Sequence, residues 1–143
     1  MNLSIADTRR GLLKLLGTGA LLALIPAPVR AAMPGTRPRA PHPDPRPGYK
    51  PDKVLAAEQL GGDEELIALF DGVRKIPHIV DGIRCTCGCA DLPGYYSLLT
   101  CFEHDNAMSK WCPICIGTGS LVIRLHGRGR TLAQIREAVD ARY

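Results

Sequence analysis

Three cysteines fall within five residues, Cys85-Thr86-Cys87-Gly88-Cys89, and Cys101, Cys112 and Cys115 follow within the next 26. On strand geometry, alternate residues of such a segment point the same way with Cβ atoms about 6–7 Å apart. A disulfide needs them about 3.5–4.5 Å apart, so the clustered three are poorly placed to oxidise with one another. Gly88 admits a positive φ and lets the segment curl. A curled C-x-C-G-C segment can aim three sulfurs at one point, and soft thiolates at one point select copper(I), zinc or an iron–sulfur cluster. Zinc closes a tetrahedron with four ligands, and an iron–sulfur cluster also takes four, which would leave two of the six sulfurs idle. Copper(I) accepts two or three sulfurs per ion and can share thiolates, so it would employ Cys85, Cys87, Cys89, Cys101, Cys112 and Cys115 together. Copper(I) is therefore the expected ion, with zinc the alternative. Met108 and His104 are nearby candidates for a further ligand, read as core and surface residues respectively, and His78 and His126 are read as structural.

Two other chemistries compete. An even cysteine count in an exported chain fits a disulfide scaffold serving as an interaction module. Trp111-Cys112-Pro113-Ile114-Cys115 is similar to thioredoxin-like active sites, where a helix N-terminus aids thiolate formation. The βαβ context that should precede that motif is missing from the sequence pattern.

The start of the chain reads as an address. Thr8-Arg9-Arg10-Gly11-Leu12-Leu13-Lys14 looks like a twin-arginine export signature, followed by an apolar run from Leu15 to Ile25 and the cleavage-like Val29-Arg30-Ala31. The run is short for a membrane span. The expected location is periplasmic or otherwise extracytoplasmic, with the twin-arginine machinery as one partner. That route carries folded proteins loaded in the reducing cytoplasm, which favours a metal over disulfides. The whole chain carries a formal charge of +4, but residues 1–31 hold Arg9, Arg10, Lys14 and Arg30 against Asp7 alone, leaving +1 on the remainder. No electrostatic case for nucleic acid or membrane binding remains. Neither a nucleophile–base constellation nor a phosphate loop is present. A non-enzymatic role is expected, in which the chain binds a metal ion and meets a metal-donor or metal-acceptor protein.

Seven prolines between Pro34 and Pro51 make residues 32–52 a linker, since proline fixes φ and withholds an N–H. A stiff extended spacer is expected there, with His42 solvated. Residues 53–143 then form one small, mainly α-helical, cysteine-rich domain with a thin core. The pattern predicts a short helix over 53–60 and a second capped by Asp63, with Leu66, Ile67, Leu69, Phe70 and Val73 inward. Pro77 stops that helix and opens a third over 78–83. Residues 95–102 are helix or strand by pattern. Pro113 starts a helix with Cys112 at its cap and Gly127 as its stop. Gly117 and Gly119 weaken that helix and would allow a close approach. Thr131 and Gln134 form a capping box for a last helix buried through Leu132, Ile135, Ala138 and Val139.

The order and spacing of Cys85-Thr86-Cys87-Gly88-Cys89, Thr100-Cys101-Phe102, Cys112-Pro113-Ile114-Cys115 and Ala133-Gln134-Ile135-Arg136, with terminal Asp140-Ala141-Arg142-Tyr143, resemble the PCYCGC-motif family. These are small exported bacterial proteins, many of them lipoproteins. The resemblance covers about residues 62–143 and implies an all-helical cysteine-rich domain. Arg84 and Thr86 replace the proline and tyrosine of the family's motif. Met108 and Tyr95 stand at two positions where the resemblance implies histidine.

Overall fold

The structure, a computed structural model, describes residues 40–105 and 107–143; the stretch read as an export signature and the first part of the proline tract lie outside them. Among the described residues are four α-helices and no strand: α1 Glu64–Lys75, α2 Pro77–Asp81, α3 Pro113–Gly127 and α4 Leu132–Arg142. The mainly α-helical fold is as expected. None of these helices is long and apolar enough to cross a membrane.

Local chemistry accounts for the helix ends. The Asp63 carboxylate accepts from the Leu66 N–H at 3.0 Å and opens α1, with Glu64 and Glu65 in the first turn. Pro77 and Pro113 occupy the first positions of α2 and α3, where a missing N–H costs nothing. Thr131 accepts from the Gln134 N–H while Gln134 accepts from the Thr131 N–H, closing the box at the head of α4. The stop of α3 is two residues beyond the glycine singled out from the pattern. Gly127 is the last helical residue, and Gly129, at φ +74°, makes the left-handed step. The Arg130 N–H then reaches back to the Leu125 carbonyl, so a Schellman motif ends the helix.

Helix α3 is the hub, packing against α1, α2, α4 and the 3-10 turn Met108–Lys110. Phe70 of α1 and Phe102 meet edge-on at 5.0 Å in the core, which Val73, Val80, Ile83, Leu98, Leu99, Val122, Ile135 and Val139 complete. Two segments depart from the pattern reading. The helix expected over 53–60 is two 3-10 turns, Pro51–Lys53 and Ala57–Gln59, flanking an extended stretch. There Val54 bridges Glu103, and the Leu55 N–H donates to the Phe102 carbonyl at 3.2 Å, so pairing with a distant segment of the chain outcompetes helix propensity. Residues 95–102 are neither helix nor strand but a loop ending in the 3-10 turn Leu99–Phe102.

The described part of the proline tract lies along the helical unit rather than standing off as a spacer. Arg46 grips the fully buried Asp81 through its backbone N–H at 2.8 Å and its guanidinium at 2.6 Å, and Ser97 donates to the same carboxylate at 2.6 Å. The guanidinium stacks on Tyr49 at 3.7 Å. Proline carbonyls left free by the extended backbone are good acceptors, and Arg136 of α4 donates to that of Pro43 at 2.6 Å. His42, expected in solvent, is packed instead: its Nδ1 accepts from the Arg84 N–H at 3.0 Å and its Nε2 lies 3.2 Å from Asp140.

Candidate metal centre

Three pieces of chain bring the sulfurs together. The first is the 85–89 segment, which leaves the end of α2 and curls at Gly88, where φ is +92°. Nothing lies within 4 Å of a Cβ built on Gly88, so the backbone angle and not crowding demands glycine there. The curl draws the Cys85 and Cys87 sulfurs to 3.0 Å and those of Cys87 and Cys89 to 3.1 Å. The second piece is the 3-10 turn Leu99–Phe102, whose Cys101 sulfur lies 3.3 Å from that of Cys85. Ser109 braces this turn by donating to the Cys101 carbonyl at 2.7 Å. The third is the head of α3, where Cys112 is the N-cap and Cys115 sits within the first turn. The Cys115 sulfur is 3.8 Å from Cys85 and 3.5 Å from Cys87.

Gly119 makes this junction possible. A Cβ there would stand 2.7 Å from the Phe102 ring and 3.3 Å from Leu69, so only glycine lets the Cys101 turn lie against α3. The close approach expected at Gly117 and Gly119 is real, and aromatic side chains make it: at Gly117 the neighbour is the Tyr143 hydroxyl at 2.6 Å.

All six cysteines are free thiols, with Cys85, Cys89, Cys101 and Cys115 buried and Cys87 and Cys112 half-buried. Two groups of three have every sulfur within 4.8 Å of the others: Cys85, Cys87 and Cys115, and Cys85, Cys89 and Cys101. The clustered sulfurs can thus hold a metal ion. Cys112 belongs to neither group. It stands at the rim beside Trp111, which is 80% exposed. His104 is exposed in a left-handed turn, and Met108 packs against the core. His78 and His126 face each other edge-on across α2 and α3 with ring centroids 6.4 Å apart.

The electrostatics centre on Cys85. The Cys101 and Cys115 thiols hydrogen-bond to it and pull its pKa down to about 2, making it the first thiolate of the group. Burial and the hydrogen bonds to Cys85 and Cys89 push Cys87 up to about 12. Cys115 is raised by its bonds to Cys101 and Cys85 and by burial. Burial opposes ionisation of Cys112, but the Cys115 backbone N–H, the Cys115 thiol, the Ile114 N–H and the Cys87 thiol together outweigh it and lower its pKa. Tyr95, singled out in sequence only as a substitution, borders the cluster: burial and the charge of Cys89, Cys101, Cys115 and Cys87 raise its hydroxyl pKa. Thr86 and Thr118, whose hydroxyls are 3.5 Å apart, tie the curled segment to α3. Neither contact had a spacing signal that could have revealed it.

Compared with protein-family models, curated proteins and solved structures, the chain matches none.

Proposed function

We propose that the protein is an exported carrier of copper(I), holding the ion through its clustered cysteines for carriage, storage or delivery outside the cytoplasm. One observation carries this reading: sulfurs have more than one sulfur neighbour. Cys85 has Cys87, Cys101 and Cys115 within 3.8 Å, and Cys87 has Cys85, Cys89 and Cys115 within 3.5 Å. A disulfide scaffold gives each sulfur one partner, whereas a metal–thiolate centre shares them. The two groups each offer three thiols and neither closes a set of four, which suits copper(I) better than a zinc tetrahedron. The resemblance to exported cysteine-rich proteins and the twin-arginine-like start support delivery to an extracytoplasmic space, where a donor or acceptor protein would exchange the ion.

Anaerobic titration of the fully reduced protein with copper(I) tests this. The metal is expected to raise Tm and to shield the clustered thiols from alkylation, with affinity falling as pH drops because ligand thiols must lose their protons. Unchanged Tm and fully reactive thiols would refute it. Uptake of one zinc per chain with four thiols protected would put a closed tetrahedral site in its place.

A second reading has its own observation. Cys112 sits at a helix head with its pKa lowered, and Cys115 is one turn behind it, as a dithiol oxidoreductase requires. Reduction of a disulfide substrate by the metal-free protein, lost in Cys112→Ser, would support this one.

A further inference from the structure

We propose that the centre is binuclear, with the Cys85 sulfur bridging two copper(I) ions: one bound by Cys85, Cys87 and Cys115, the other by Cys85, Cys89 and Cys101. The inference rests on the copper(I) reading above and extends it to the architecture of the site. Both groups of three contain Cys85, and no other residue is common to them. In the first group the edges are 3.0, 3.8 and 3.5 Å. A point equidistant from those three sulfurs lies about 2.0 Å from each, close to the ~2.3 Å of a metal–thiolate bond. A spread of a few tenths of an ångström therefore seats an ion. In the second group the Cys85–Cys101 edge is 3.3 Å.

The charge supports sharing. Two separate three-thiolate sites would need six sulfurs, and the sixth, Cys112, lies in neither group. Five thiolates around two monovalent ions carry a net charge of −3. The positive end of α3, whose first turn contains Cys115, faces that charge. Binding releases to solvent one proton for each thiol that enters as S–H, and nothing is oxidised or reduced.

The test uses the full chain, reduced and loaded anaerobically with copper(I), read by elemental analysis and X-ray absorption at the copper edge. Two ions per chain and a short copper–copper scattering path are expected for the wild type. Cys87→Ser and Cys89→Ser should each lose one ion and the copper–copper path. The double variant Cys87→Ser with Cys89→Ser should lose both ions, and so should Cys85→Ser alone. Should the buried Cys85 variant fail to fold, as circular dichroism would report, the wild-type absorption data and the Cys87 and Cys89 series decide the matter. One ion per chain, or two without a copper–copper path, overturns the bridged centre while leaving copper carriage intact. No copper bound at all overturns the functional reading itself.

Discussion

Cys112 shows how much a single residue's surroundings matter. Its spacing to Cys115 is that of a dithiol motif, yet its sulfur stands outside both groups of three while Cys115 lies within one. Exposure and the helix head make it the reactive thiol of the set. Cys101 and Cys115 are 0% exposed. In the reduced, metal-free protein near neutral pH, Cys112 should therefore alkylate first, ~10-fold or more faster than Cys101 or Cys115. Timed modification followed by peptide mass mapping checks the order, and modification of Cys101 ahead of Cys112 would contradict the burial of Cys101. Gly88 belongs to the same scale. Its φ of +92° is open only to glycine without strain, so Gly88→Ala is expected to cost about 1–2 kcal/mol and to weaken any metal binding by uncurling the cluster. Chemical denaturation with and without metal separates the two effects.

At the scale of elements, the centre depends on how closely the Leu99–Phe102 turn approaches α3. The Phe102 ring is fully buried and held edge-on by Phe70, so it cannot retreat from a side chain at position 119. Gly119→Ala should cost about 1–3 kcal/mol through overpacking, despite alanine's better helix propensity. A rise in Tm on that substitution would mean the turn is looser than described. The tail helix contributes differently. Ile135 and Val139 are fully buried while Leu132 and Ala138 are only partly so, narrowing the stripe read from the pattern to two residues. Ile135→Ala should cost about 2–5 kcal/mol, a large share of a small domain's stability, measured as a loss of Tm.

For the molecule as a whole, the packed proline segment ties the start of the described chain to α2 and α4. Arg46 and Ser97 hold the Asp81 carboxyl below the usual carboxylate range even though burial alone would raise it. His42 adds a pH dependence. Burial lowers its pKa below 6.5, outweighing the attraction of Asp140, while Arg136 and Arg84 reinforce the lowering. Because the unfolded chain takes up that proton more readily, stability is full above the unfolded pKa and falls as pH drops below it toward the folded value. Between about pH 7 and pH 5 the metal-free protein should lose Tm, and His42→Gln should flatten that slope. An unchanged slope would mean the segment is detached in solution. The proposed export has its own test. Arg9→Lys with Arg10→Lys should leave the precursor in the cytoplasm, and undiminished export would dismiss the twin-arginine route.

Local chemistry was legible from the sequence because it involves residues a few positions apart. The Asp63 cap, the prolines opening α2 and α3, the Thr131–Gln134 box and the curl at Gly88 each follow from one side chain or one backbone angle. The thiols in close succession likewise pointed to a cluster that can hold a metal ion. Tertiary structure alone decided which sulfurs share a centre, since that depends on the Cys101 turn lying against Gly119 and on the angle of Cys112 at the head of α3. It also decided that the proline segment packs. A run of prolines keeps helix and sheet from propagating but leaves carbonyls free, and whether those meet solvent or Arg136 depends on a residue 93 positions away. Such long-range pairings leave no periodic trace, whereas caps and curls are written in neighbouring residues.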